Sequence, residues 1–219
     1  MKPPVAAATL AVAAVLLSAC ASSSAPSTSA PSPGEAVETS FFEAVRPGPA
    51  MDLKAPPASL KAAYAETTAV IEADVTGVRT GREIGGMSSV IVTLAPVRVL
   101  RGELRPALPV GVEFGPHFEP AAVERIAAEM NASPAGRGVW LLRWQGEPPP
   151  ARKPGTPKID TTADVRLYRT VHPQCGVFVQ GAGHVDAATA RDDGERTGAR
   201  VEGERFATLA ELADHAVMA

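Results

Sequence analysis

Within residues 68–80 apolar and polar side chains alternate from Ile71 to Thr76, with Ile71, Ala73 and Val75 on one side and Glu72, Asp74 and Thr76 on the other. A period of two over that length is the pattern of a half-buried strand. The same pattern returns along the chain from about Ala58, so a fold made largely of short strands is the expectation. Ser89–Leu100, rich in Val, Ile and Thr, predicts a second strand. Pro96 removes one backbone donor inside it and so marks a bulge or an edge. Gly81–Met87, which carries Gly85-Gly86, reads as the turn between the two. Pro109–Gly115 predicts a third strand with Val110, Val112 and Phe114 on one face. Gly138–Gln145 predicts a fourth, in which Trp140, Leu142 and Trp144 share a face. Asp164–Thr170, Gly176–Gly181 and a short stretch near His184 bring the number of expected strands to six or seven.

Helical signals are fewer. Ser59 can cap a short helix running to Glu66, with Leu60, Ala63 and Tyr64 on one side. Glu119–Met130 opens with Pro120, which suits a first turn, and spaces Val123, Ile126, Ala127 and Met130 as one apolar stripe. Thr208 and Glu211 form a capping box ahead of Leu209, Leu212, Ala213 and Val217. The expected fold class is mainly β (α+β): a small barrel or a sandwich of six or seven strands, with one inserted helix and a C-terminal helix.

The N-terminal quarter reads differently. Lys2 precedes an apolar run from Val5 to Leu17. That run is too short for a helix spanning a hydrocarbon core of about 30 Å, which takes roughly 20 residues, and it fits a signal-peptide core instead. Leu17-Ser18-Ala19-Cys20 resembles the bacterial lipobox. The resemblance implies removal of residues 1–19 and a diacylglyceryl thioether on Cys20, with the chain held at the extracytoplasmic face of a cell membrane. Residues 20–57, opening on a Ser/Ala/Pro tract, are expected to form a disordered tether with a root-mean-square reach of about 30–35 Å. Phe41, Phe42 and Val45 interrupt it, either as a docking segment or as the remnant of a strand. Residues 58–219 form the expected globular domain.

The segments ETTAVIEADVTGVRTGREI, VTLAPVRVLRGEL, GVWLLRW and VHPQCGVF resemble an uncharacterised family of secreted or lipid-anchored proteins of high-GC Gram-positive bacteria. The resemblance covers roughly Leu60–Val179 and implies a five-stranded OB-type barrel. It implies no activity. The chain departs from the family pattern at Trp140, where tyrosine is common, and at Cys175 before Gly176.

A net charge of −3 among 219 residues gives no basic footprint and argues against nucleic acid as a partner. Of the two cysteines, acylation would consume Cys20 and leave Cys175 as a single thiol. His172 stands three residues before Cys175, which makes the pair a weak candidate thiol site, but nothing supplies a third, orienting group. The four histidines, His117, His172, His184 and His215, are isolated in sequence and read as surface or turn residues rather than metal ligands. Asp192, Asp193, Glu195, Glu202 and Glu204 read as a solvated hairpin or loop, and Glu72 with Asp74 as an exposed strand face. The proline-rich stretch 148–158 reads as an exposed loop. Trp140 and Trp144, with Tyr168 and Phe114, are weak candidates for a ligand face, although a same-face aromatic stripe is more often core.

No catalytic residues, metal or cofactor are therefore expected. The expected function is a non-enzymatic, membrane-anchored extracytoplasmic binding or accessory domain, acting on an extracytoplasmic protein or envelope polymer. The rivals are a small envelope hydrolase or thiol enzyme using Cys175 with His172, and a purely structural spacer. Ligand, partner and oligomeric state are left open.

Overall fold

The alternation within 68–80 becomes β1 (Ala69–Ile84), which pairs antiparallel with β2 (Met87–Gly102). The two strands pair down to Ile84 opposite Met87, so the turn is shorter than the expected 81–87. Only Gly85 and Gly86 bridge them, with φ of 62° and 79°. Two left-handed residues are what a tight twisted hairpin requires. Pro96 falls at a bulge: Glu72 faces Arg98 and Ala73 faces Pro96, leaving Val97 as the extra residue.

The computed structural model describes residues 40–47, 55–105, 109–133, 135–146, 164–191 and 198–219. The lipobox with Cys20, the loop 148–158, and Asp192, Asp193 and Glu195 lie outside the described residues. The remaining strands are β3 (Val110–Phe118), β4 (Arg137–Trp144), β5 (Leu167–Thr170), β6 (Val177–Gln180) and β7 (Val185–Ala187). The helices are α1 (Ser40–Glu43), α2 (Leu60–Ala65), α3 (Pro120–Ala132), α4 (Gly198–Gly203) and α5 (Leu209–Met218).

The architecture is mainly β of the α+β type. All seven strands belong to one mixed sheet in the order β1-β2-β3-β5-β4-β6-β7, rather than to two stacked sheets. β1 also pairs with β4, from Ala69 opposite Leu142 to Asp74 opposite Arg137, so five strands form a partial ring. The ring is thinnest where β3 meets β5 in parallel, through Gly111–Leu167 and Val112–Tyr168. α3 is inserted between β3 and β4, and α5 closes the chain.

Two cores result. Ile71, Val90, Val92, Leu94, Val110, Val112, Trp140, Leu142 and Tyr168 form the first, joined by Val123 and Met130 of α3. Leu60 and Tyr64 of α2, Val139 and Leu141 of β4, Cys175, Phe178 and Leu212 form the second. β4 is buried on both faces, which is why GVWLLRW reads as a nearly continuous apolar run.

Four expectations need correction. Phe41, Phe42 and Val45 lie in the stretch expected to be tether, yet they are 1–2% exposed and belong to the first core. Of the two alternatives, docking as a short helix is the one adopted. Glu202 and Glu204, expected in a solvated loop, sit in and beside α4. Glu202 Oε2 accepts from the Leu60 N–H at 2.7 Å, and Glu204 pairs with Arg200 at 2.8 Å with both side chains under 10% exposed. On α5 the buried side is Leu209, Leu212, Ala213 and Ala216, while Val217 is exposed; Ala216 lies four residues after Leu212, on the same side of the helix. Glu72 and Asp74 are half-buried rather than exposed, because Arg137 lies opposite Asp74 on β4 and binds its carboxylate at 2.9 and 3.0 Å.

Candidate functional site

Cys175 is fully buried in the second core. Burial pushes its thiol pKa up to about 12, and the nearby Glu66 charge adds to the rise. A nucleophilic thiol needs the opposite environment. Its neighbour His172 is also buried, and its Nδ1 accepts from the Gln174 N–H at 3.1 Å. The contact between the two residues is a backbone one, from Cys175 N to His172 O at 3.2 Å.

The aromatic candidates divide. Trp140, Tyr168 and Phe114 are core residues, at 0%, 1% and 7% exposure. Trp140 packs against Phe42 with ring centroids 5.8 Å apart. Trp144 is half-buried, and its Nε1 donates to Val165 O at 3.1 Å. Burial leaves Trp140 and Tyr168 no face to offer a ligand. The histidines are likewise engaged separately: His184 with Asp186 at 2.9 Å, and His215 with the Tyr64 hydroxyl at 3.3 Å. Among the described residues no three His, Cys, Asp or Glu side chains gather as metal ligands.

The structure instead brings together a polar cluster that local sequence patterns do not announce. Arg82 donates to both oxygens of Glu113, at 2.9 and 2.8 Å, and to Gln145 Oε1 at 3.0 Å. It also pairs with Asp164, in the short helical turn Asp164–Arg166 before β5. Ser89 of β2 donates to Glu113 Oε1 at 2.8 Å, and Gln145 Nε2 to Glu113 Oε2 at 3.0 Å. Burial pushes the Glu113 carboxyl up, but the hydrogen bonds from Arg82, Ser89 and Gln145 outweigh it and hold the pKa below the ordinary value. Gly81 makes room for Ser89, because a Cβ there would lie 2.1 Å from the Ser89 hydroxyl.

Beside this cluster runs a groove of about 560 Å³, lined by Arg79, Gly81, Arg82, Ile91 and residues 165–167. Gly111 helps to form it: a Cβ there would press on Ile91 and Leu167 at 3.2 and 3.3 Å. Arg82 is held by its carboxylates, whereas Arg79 and Arg166 have no carboxylate partner among the described residues. The groove therefore joins an apolar floor to two uncommitted cations.

A second cavity, of about 600 Å³, opens where β3 and β5 part. Its walls include residues 113–117 on one side and 169–173 on the other, with Val45, Pro47, Glu66, Arg143 and Thr189. The Nε2 atom of His117 is buried here without a hydrogen-bond partner, and burial lowers the pKa of that ring. Comparisons with protein families, with curated proteins and with solved structures returned no significant match.

Proposed function

We propose that this chain is a lipid-anchored, extracytoplasmic binding domain without catalytic activity. In this reading the five-stranded ring is an OB-like barrel, and the ligand face is the groove along Ile91 and Leu167. The pairing order β1-β2-β3-β5-β4-β1, with α3 between β3 and β4, supports the barrel. Such barrels bind extended ligands on the strand 2–3 face, between the loop joining strands 1 and 2 and the loop joining strands 4 and 5. The groove occupies the corresponding place here, between the β1–β2 hairpin and the segment that leads into β5. Anchoring is supported by the apolar run Val5–Leu17 ending in Leu17-Ser18-Ala19-Cys20.

One observation carries the proposal: Arg79 and Arg166 flank an apolar floor that Gly111 keeps open. That chemistry suits an acidic segment of an extracytoplasmic protein or an anionic envelope polymer.

Cross-linked purification of the tagged full chain from its own membranes tests this, with the Arg79→Glu/Arg166→Glu double variant run in parallel. The expected result is a stoichiometric partner that the variant loses while keeping its melting temperature. Equal recovery by both proteins, or no partner with either, would overturn it.

A further inference from the structure

We infer that the acidic segment taken by the groove is the outward side of α5 from a second copy of this chain, so that copies join head to tail. The inference rests on the groove being a binding face, and it names the partner of that face.

α5 has two unlike sides. Leu209, Leu212, Ala213 and Ala216 hold one of them in the second core. Ala210, Glu211, Asp214, Val217 and Met218 are exposed, and steps of three and four residues line them up along the other. That side carries two carboxylates followed by two apolar side chains. Val217 and Met218 are two of only five large hydrophobic side chains exposed among the described residues, and a third is Val165 in the groove. His215, the basic residue of the last turn, is taken up by the Tyr64 hydroxyl and the Phe206 ring. Asp214 meets Arg98 of β2 at 3.6 Å, but Arg98 lies nearer to Glu72, at 3.3 Å, and an ion pair this exposed is weak.

The groove is the complement of that side. Arg79 and Arg166 supply the cations, and Ile91, Leu167 and the exposed Val165 supply the apolar contact. A helix laid into a groove by its exposed stripe is a common mode of recognition. Here Val217 and Met218 meet Val165 and Leu167, while the carboxylate of Asp214 meets a guanidinium. No residue of α5 lines the groove, and its inner side is committed to the second core, so the contact runs between copies. Two different surfaces meet, which builds a ring or an open chain of copies rather than a symmetric pair. One side of a ten-residue helix makes a small and therefore weak interface. Confinement of anchored copies to one membrane offsets this by raising their effective concentration.

The test places a photoreactive benzoylphenylalanine at Val165 of the full chain and irradiates membranes that carry it. The expected product is a ladder of dimers and larger species, with the cross-link mapping to Val217 or Met218. The groove variant Arg79→Glu/Arg166→Glu and the helix variant Asp214→Lys/Met218→Ser, each made in the probe-bearing chain, should cut the dimer at least about tenfold and keep the melting temperature. A probe-bearing helix variant co-expressed with a probe-free groove variant should give back one dimer band and no ladder, because each copy then keeps one half of the contact. A cross-link to a different protein overturns the inference and leaves the groove reading standing. A cross-link to another part of this chain, no cross-linked species, or a ladder that survives the helix variant overturns it as well, and the purification described above decides the groove reading separately.

Discussion

Arg82 and Glu113 meet through two parallel hydrogen bonds of 2.9 and 2.8 Å, although their strands are not neighbours. β2 runs between them and contributes Ser89, whose hydroxyl donates to the Glu113 carboxylate at 2.8 Å and accepts the Arg82 N–H at 2.9 Å. Three strands, Gln145 after β4 and Asp164 before β5 are thus tied at one polar point. The same arrangement fixes one wall of the groove.

Breaking that point should be costly. The Glu113 side chain is 3% exposed, so Arg82→Met would leave its carboxylate with Ser89 and Gln145 alone. A loss of about 3 kcal/mol is expected from urea unfolding near neutral pH. The pH dependence has a definite sign. The folded-state pKa of Glu113 lies below the ordinary carboxyl value of 4.5, so this stability is present above that value and is lost as pH falls through the folded pKa. Unfolding series taken from about pH 5 down to about pH 3 should show a shallower loss for Glu113→Gln than for the wild type.

Phe42 gives a prediction on which the tether and the docked helix disagree. Its ring is 1% exposed and packs between Phe41 and Trp140. If residues 40–47 were only a spacer, Phe42→Ala would leave the unfolding midpoint unchanged. As part of the first core, it should lose about 3–5 kcal/mol, and Phe41→Ala a comparable amount. Equilibrium urea unfolding of the full chain separates the two outcomes.

These cases show which parts of the fold were legible in the sequence. Strands are written locally: Ile71, Ala73 and Val75 announce β1, and Trp140, Leu142 and Trp144 share a face of β4 as their spacing implies. The capping box at Thr208 and Glu211 is equally local. Ring formation is not, because the pairing of β1 with β4 and of β3 with β5 joins residues far apart in the chain that carry no mark of one another. Arg82 and Glu113 are 31 residues apart, and Leu60 and Glu202 are 142 apart. Asn131 is another case: its side chain accepts from Val78 N at 2.8 Å and donates to Val78 O at 2.7 Å, standing in for a strand partner beside β1. The four residues of α1 are too few to show a helical period, so the two phenylalanines signalled burial without signalling shape.

Cys175 should behave as a core residue. In the native protein a thiol reagent is expected to leave it unlabelled near neutral pH, with complete labelling once the chain is unfolded. Its pKa in the fold, about 12 against an ordinary 9.0, means that its contribution is fully present below pH 9.0 and is lost as pH rises through the folded value. Tyr64, raised by burial from 10.0 to about 12, acts in the same sense. Cys175→Ser buries a hydroxyl in an apolar site and should lower stability by about 1–3 kcal/mol while sparing partner binding. Loss of binding with an unchanged melting temperature would restore the thiol to the list of functional groups.

Anchoring makes the sharpest claim about Cys20. One acyl chain holds a protein at a membrane only marginally, since each buried CH₂ contributes about 0.8 kcal/mol, and stable attachment takes a second chain or another signal. A diacylglyceryl group on Cys20 would supply two. Metabolic palmitate labelling of the expressed chain is therefore expected to mark the wild type and not Cys20→Ser. The variant should move from the membrane to the soluble fraction while keeping its melting temperature, because among the described residues the packed ones begin well beyond Cys20, at the helix carrying Phe41 and Phe42. Label retained by Cys20→Ser, or absent from the wild type, would remove the anchor and with it the extracytoplasmic membrane setting of the proposed binding domain.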